Sequence, residues 1–166
     1  MITIKEASTA DIKTIQEIAN KTWPITYGEI LSKEQLDYMM DLIYSEESLI
    51  SQIQKKVQLF YIAYDESSVV GFIAIEHHYK NEAVTRIHKI YILPETQGKG
   101  IGRLLIDEVQ KLATENNSVS LSLNVNRFNK ALTFYQKIGF KIVAEENIDI
   151  GNGYLMEDYR MEKQIQ

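Results

Sequence analysis

The chain has 166 residues, of which 45% are hydrophobic and 25% charged, a balance typical of a globular domain rather than of a disordered or fibrous protein. A net charge of −5 argues against broad nucleic-acid binding, and the absence of cysteine excludes disulfides and thiolate chemistry. The charged start and the lack of an apolar run of about 20 residues argue against a signal peptide and a membrane partner, so we expect a cytoplasmic protein.

The N-terminal third is predicted to be mainly helical after one short strand of alternating apolar residues. Ser8 and Asp11 have the spacing of a capping box, which predicts that a helix begins there. Pro24 and Gly28 then interrupt the helical pattern, and residues 22–30 are therefore predicted to form a loop or a broken turn.

Two further helices are predicted to follow the capping residues Ser32 and Ser45. From Val57 the apolar period changes from helical to strand-like, and the polar residues 65–68 are typical of a turn between two strands of a hairpin. Another strand is predicted over residues 84–93.

The remainder of the chain alternates between helices and strands. The predicted elements are a helix over 100–114, a strand over 119–125, a helix over 129–138, and strands over 140–144 and 155–161. Leu104 is expected on the buried face of the first of these helices. The whole order predicts one α/β domain over residues 1–166, a mixed sheet with helices on both faces and parallel pairing around 93–125.

A glycine-rich segment between a predicted strand and a predicted helix carries the strongest chemical signal. Gly98, Gly100 and Gly102 would let a ligand approach the backbone, and the helix start offers unpaired N–H groups to a diphosphate. Lys99 and Arg103 can add positive charge there. The spacing fits neither a P-loop nor a dinucleotide fingerprint, and a glycine-rich connection without a ligand remains the alternative.

Two segments together resemble the GNAT superfamily of acetyl-CoA-dependent N-acetyltransferases. Residues 97–102 are similar to its Gln/Arg-x-x-Gly-x-Gly/Ala signature, and residues 129–140 are similar to its Asn-x-x-Ala-x-x-Phe-Tyr-x-x-x-Gly-Phe pattern. The resemblance implies the GNAT fold, with a mixed, mostly antiparallel sheet of about seven strands. It also implies an enzyme that uses acetyl-CoA as cosubstrate and transfers the acetyl group to a primary amine by direct attack in a ternary complex. No metal is expected.

The resemblance also implies which residues hold the cosubstrate. The glycine segment would bind the pyrophosphate, the main chain before it would pair with the pantetheine arm, and residues of the later motif would complete the site. These cofactor-binding residues are Ile90, Ile92, Gln97, Gly98, Lys99, Gly100, Ile101, Gly102, Arg103, Asn129 and Tyr135.

Catalysis requires a proton donor for the departing thiolate and a base for the amine. Tyr135 is the donor that the resemblance implies. Many family members carry a glutamate on the strand before the glycine segment, but Arg86 occupies that position here and cannot act as a base. His88, on the same strand, is the preferred base because imidazole titrates in the useful range. Glu76, His78 and a water molecule remain alternatives.

Aromatic and acidic residues indicate where a cationic amine would bind. The candidate acceptor-binding residues are Trp23, Tyr27, Glu76 and Tyr154. A polyamine or another small amine is the expected acceptor, although packing at a helix junction would equally explain the two N-terminal aromatic residues. A protein N-terminus or lysine side chain is an alternative acceptor, and a non-catalytic acetyl-CoA-binding module is an alternative function. A homodimer is also considered.

Overall fold

A computed structural model describes residues 1–166. It contains seven strands and five α-helices. The strands are β1 Ile2–Glu6, β2 Leu59–Asp65, β3 Ser68–Glu76, β4 Val84–Ile92, β5 Ser120–Asn126, β6 Lys141–Gly151 and β7 Tyr154–Gln164. The helices are α1 Ile12–Tyr27, α2 Lys33–Tyr44, α3 Glu46–Gln54, α4 Ile101–Glu115 and α5 Ala131–Lys137. None of these helices has the length and apolar character needed to cross a membrane.

The strands form a mixed sheet in the order β1-β2-β3-β4-β5-β7-β6. Antiparallel ladders join β1 to β2, β2 to β3, β5 to β7 and β6 to β7, whereas β4 and β5 are parallel. The parallel ladder pairs Val84–Ile87 with Ser120–Leu123, although both strands continue beyond it. The predicted α/β class and the parallel pairing before residue 125 are confirmed.

The chain divides into two compact units, and the prediction of one domain remains a prediction. The first unit comprises Met1–Glu76 and His88–Val109. Its core is built from the apolar faces of α1 and α3 and from strands β2 and β3, whose side chains Phe60, Phe72 and Ile73 are almost completely buried. Strand β3 is buried on both faces, since Phe72 and Ile73 are consecutive residues and their side chains point to opposite sides of the sheet.

The second unit comprises His77–Ile87 and Gln110–Gln166. On β5, the apolar residues Leu121, Leu123 and Val125 are buried and alternate with polar residues. Antiparallel pairing of β5 with β7 and of β7 with β6 extends this unit into a long hairpin. The hairpin turn contains three consecutive residues with positive φ, two of them glycines, which favour such a backbone.

Three sequence expectations about these elements were wrong. Residues 22–27 are neither a loop nor a broken turn, because α1 continues through Pro24 to Tyr27, and only residues 28–30 form a turn. Trp23 and Tyr27 lie one helical turn apart and are both buried, and this burial outweighs the cost of about 3 kcal/mol for an internal proline. Leu104 is 44% exposed rather than buried. The last two strands are also longer than predicted, because they pair with each other along most of their length.

Candidate functional site

The glycine segment adopts a backbone that requires glycine. After β4 a short 3-10 turn at Pro94–Thr96 leads to Gln97, and α4 begins at Ile101. Gly98 and Gly100 have φ values of 83° and 75°, and an added Cβ at either position would meet nothing within 4 Å. Glycine is therefore required at these two positions because of the backbone conformation, and not because a larger side chain would clash with a neighbour. The segment is exposed and leads directly to the positive end of α4, as a diphosphate cradle requires.

The main chain of β4 is held closely against β3 just before this segment. A Cβ at Gly71 would lie only 2.7 Å from the Tyr91 carbonyl oxygen and 2.9 Å from Ile92 Cδ1. The Leu93 amide donates to the Val70 carbonyl at 2.8 Å. Ile90 and Ile92, whose main chain was predicted to pair with pantetheine, are half-buried, and the ladder with β5 ends at Ile87, before either of them.

His88 and Glu76 form a hydrogen-bonded pair in the first unit. His88 Nε2 lies 2.9 Å from Glu76 Oε1, and both side chains are partly exposed, at 23% and 32%. A carboxylate at one ring nitrogen orients an imidazole and stabilises its protonated form. Glu76 was an alternative to His88 as the base on the sequence alone, whereas in the structure the two side chains share a hydrogen bond. His78 lies instead in a turn with a φ of 53°.

The predicted aromatic acceptor residues lie in a buried cluster of the first unit. Trp23 packs against Tyr27 at 4.5 Å and Tyr44 at 5.7 Å between ring centroids, and its indole N–H donates to the Tyr44 hydroxyl. The Tyr27 and Tyr91 hydroxyls are 3.2 Å apart. Trp23 and Tyr27 are only 3% and 7% exposed. This burial favours the packing interpretation that the sequence left open for them.

Tyr135, Asn129 and Tyr154 belong to the second unit. Tyr135 lies on α5, is 8% exposed and packs edge-on against Phe140. Asn129 Oδ1 accepts a hydrogen bond from the Ala131 amide at the start of α5, and this bond orients the side-chain amide. Tyr154 is the first residue of β7, directly after the glycine-containing hairpin turn.

Lys89 is a buried lysine that was not predicted as a site residue from the sequence. Its Nζ donates to Gln52 Oε1 at 2.8 Å and Gln58 Oε1 at 2.5 Å, and it lies 5.2 Å from the centroid of the Phe60 ring. No carboxylate contacts it, and burial lowers the pKa of Lys89 to about 7. A charged residue flanked by apolar neighbours on a predicted strand was the signal available in the sequence.

A polar cluster also extends across strands β4 to β7. Arg86 donates to Ser122 Oγ at 2.8 Å and to Asn124 Oδ1 at 2.7 Å, so that the residue in the expected glutamate position fixes the polar face of β5. The Asn124 amide in turn donates to Glu146 and Asp158. Burial lowers the pKa of Arg86 and raises the pKa of Asp158. The alternation of Ser and Asn with apolar residues on β5 was the available signal, since it predicts a second, polar face.

Comparisons with known proteins agree with one another. A family model described as an acetyltransferase (GNAT) domain matches residues 29–163. The chain is 32% identical to the spermidine N(1)-acetyltransferase of Thermoplasma acidophilum over 94% of this chain and 96% of that protein. It is 31% identical to the uncharacterized N-acetyltransferase YuaI of Bacillus subtilis, over 95% and 90% of the two chains. The crystal structure of the PaiA N-acetyltransferase from Thermoplasma acidophilum in complex with coenzyme A has a TM-score of 0.83, 30% identity and 99% coverage of both chains.

Proposed function

The chain belongs to the GNAT family and is an acetyl-CoA-dependent N-acetyltransferase, and on this premise we propose that its acceptor is a polyamine or a related small amine. The observation that carries the proposal is the 32% identity to a spermidine N(1)-acetyltransferase over almost the full length of both chains. The net charge of −5 also favours the approach of a cationic acceptor. The acetyl group would pass directly from the thioester to the amine in a ternary complex.

Acetyl-CoA is the cosubstrate, and we propose that the glycine segment holds its pyrophosphate. Residues 97–100 are exposed, Gly98 and Gly100 have positive φ, and α4 begins at Ile101, so the N–H groups from Gln97 to Arg103 would be offered to the pyrophosphate at the positive end of this helix. The main chain of Ile90 and Ile92 would pair with the pantetheine arm. Asn129 would add a hydrogen bond from its amide group, since its carbonyl oxygen already accepts the Ala131 amide.

The proposed base is His88, with Glu76 as the residue that orients it. An attacking amine must lose a proton, and a neutral imidazole nitrogen can accept it directly or through a water molecule. The Glu76 carboxylate, 2.9 Å from His88 Nε2, would stabilise the imidazolium that forms. In this mechanism Glu76 is a positioning residue rather than a separate base.

Tyr135 is the proposed proton donor for the coenzyme A thiolate. As the new C–N bond forms and the C–S bond breaks, the thiolate sulfur takes a proton and the amide product keeps the acetyl group. A phenol is a suitable acid for this leaving group. The ring of Tyr135 is buried and packs edge-on against Phe140, which would restrict the orientation of its hydroxyl. Trp23, Tyr27 and Tyr154 are also proposed for acceptor binding. Trp23 and Tyr27 are buried, so their proposed role is to support the wall of the acceptor-binding site.

We also propose where the protein acts and that it forms a homodimer. The protein would act in the cytoplasm, where acetyl-CoA is available, and two copies would associate. Strand β6 ends the order of the sheet and carries the exposed side chains of Ile142 and Val143, which supports association at that edge. Sedimentation equilibrium that gives the mass of one chain would contradict the dimer.

The function is tested by free-thiol release from acetyl-CoA with a panel of acceptors. The panel contains spermidine, 1,4-diaminobutane, n-butylamine, free lysine, lysine-containing and N-terminal peptides, and an aminoglycoside. We expect the highest kcat/KM for spermidine or the diamine. Preferential turnover of a peptide would instead identify a protein acetyltransferase. Tight acetyl-CoA binding without turnover of any acceptor would favour a binding module.

A further inference from the structure

The end of β4, residues 88–92, lies beyond the ladder with β5 and is here called the open segment of β4. The parallel ladder ends where Ile87 pairs with Leu123. The open segment is therefore paired within the sheet only on its β3 side. A strand that is paired on one side is held by fewer main-chain bonds than a central strand, so its position also depends on the contacts of its side chains.

The side chain of Lys89 anchors the open segment to the helices. Lys89 is only 8% exposed, and its Nζ donates to Gln52 Oε1 of α3 and to Gln58 Oε1, one residue before β2. Gln52 Nε2 in turn donates to the Ile43 carbonyl oxygen of α2 at 3.0 Å, and this bond fixes which end of the amide faces the lysine. One side chain thus connects β4 with α2, α3 and the start of β2, all within the first unit.

This anchor does not require a charge on Lys89. A neutral amine has two N–H groups, and two glutamine oxygens accept from this nitrogen. Burial lowers the pKa of Lys89 to about 7, and no ionisable group of the surrounding elements contributes to this change. At pH 8 Lys89 is therefore mainly a neutral amine, and it still has a donor for each of the two glutamines.

The hydrogen bonds of Lys89 differ in kind from the apolar contacts of the same segment. The Tyr91 ring packs against the rings of Trp23 and Phe72, each with a centroid separation of 5.8 Å. Apolar contacts have no strong directional preference and allow small displacements, whereas hydrogen bonds fix both a distance and a direction. A buried polar group can therefore specify one position of an element at a cost in stability. Lys89 is suited to fix the distance between the open segment and α3.

We propose that Lys89 is a positioning residue for the cosubstrate, because it holds the open segment where the main chain of Ile90 and Ile92 receives the pantetheine arm. The inference rests on the proposed pairing of that main chain with pantetheine. An extended ligand that pairs with a strand edge needs the N–H and C=O groups of that edge at the correct place. Lys89 itself contacts neither the cosubstrate nor the reacting atoms in this arrangement and acts through the backbone of β4.

The test compares two ligands that differ by the pantetheine arm. Coenzyme A carries this arm, and adenosine 3′-phosphate 5′-diphosphate is the same nucleotide without it. Calorimetric titration at pH 8 measures the affinity of both ligands for the wild type, for Lys89→Met and for Lys111→Met, a control on the exposed face of α4. We expect Lys89→Met to weaken coenzyme A binding at least fivefold and nucleotide binding less than twofold, because the glycine segment alone would hold the pyrophosphate. The control should leave both affinities unchanged.

Gln52→Leu provides a second variant, because it removes one acceptor of the anchor and leaves Lys89 in place. It should weaken coenzyme A binding with the same selectivity, and it should add little in combination with Lys89→Met, since both changes break one anchor. Denaturant unfolding checks that each variant is folded, and Gln52→Leu decides the question if Lys89→Met is not.

Equal losses for the two ligands in Lys89→Met would overturn the inference and identify Lys89 as a general structural residue. No loss for either ligand would overturn it as well. A wild type that binds coenzyme A no more tightly than the nucleotide would contradict the pantetheine pairing, and the inference with it. The titration contains no acceptor, so a failure of the proposed polyamine specificity would appear only in the thiol-release panel and would leave this result unaffected.

Discussion

His88 and Glu76 are separated by 12 positions in the sequence but share a hydrogen bond in the structure. We expect Glu76→Gln to lower kcat several-fold and to move the acidic limb of the pH profile of kcat/KM towards lower pH. The reason is that the neutral amide stabilises the imidazolium less than a carboxylate does, so that His88 loses its proton more readily. His88→Ala should remove this limb.

The pH profile also distinguishes the proposed proton donor, Tyr135, from the proposed base, His88. Tyr135→Phe should lower kcat at least tenfold without moving the acidic limb, and it should lower kcat more than it lowers the affinity for acetyl-CoA, because the change removes the proposed proton donor to the thiolate but keeps the ring. A profile that loses its acidic limb in His78→Ala, but not in His88→Ala, would assign the base to His78 instead.

At the scale of elements, the contact between β3 and β4 depends on one missing side chain. Gly71→Ala places a Cβ 2.7 Å from the Tyr91 carbonyl oxygen and 2.9 Å from Ile92 Cδ1, and the backbone oxygen cannot yield as the end of a flexible side chain can. We expect a loss of about 1–3 kcal/mol in the free energy of unfolding and a several-fold weaker affinity for acetyl-CoA. Denaturant unfolding and calorimetry measure the two effects, with Ser68→Ala on the exposed start of β3 as control. Equal stability of the two variants would show that β3 can shift without cost.

At the scale of the whole molecule, Lys89 couples global stability to pH. Burial lowers the pKa of Lys89 to about 7 from its ordinary value of 10.5, so the unfolded chain binds more protons between these two values. Stability contributed by this residue therefore rises with pH across that interval and is lowest below about pH 7. Lys89→Met should raise the free energy of unfolding by about 1–3 kcal/mol at pH 7, after allowing for the two glutamine oxygens that lose a donor.

The advantage of Lys89→Met should shrink as the pH approaches 10, because the free-energy cost of removing the lysine proton on folding falls as the pH approaches the ordinary pKa of 10.5. Denaturant unfolding at pH 6, 7, 8.5 and 10 measures the difference. Lys111→Met, which removes an exposed lysine from α4, controls for the change in net charge. A difference between the two variants that does not vary with pH would contradict the linkage.

Much of the fold and the chemistry was determined by the sequence alone, through local patterns. The capping serines, the change of apolar period at the first hairpin and the glycine segment each act over a few residues, where propensity and backbone conformation are decisive. The two motifs at residues 97–102 and 129–140 indicated the family, the cosubstrate and the type of reaction. The local pattern gave a wrong prediction at Pro24. Proline normally interrupts a helix, but the burial of Trp23 and Tyr27 stabilises the continuation of α1.

Only the tertiary structure decided which distant residues meet. The pairing of His88 with Glu76, the burial of Lys89 and the convergence of four strands around Asp158 depend on strand register and on the desolvation of charges. A charged residue has the same one-letter code whether its side chain is solvated or buried. The free energy of its charged form, however, changes by several kcal/mol with its surroundings. The sequence thus determined the family and the class of reaction, whereas packing determined which charged residues are buried and which distant residues share hydrogen bonds.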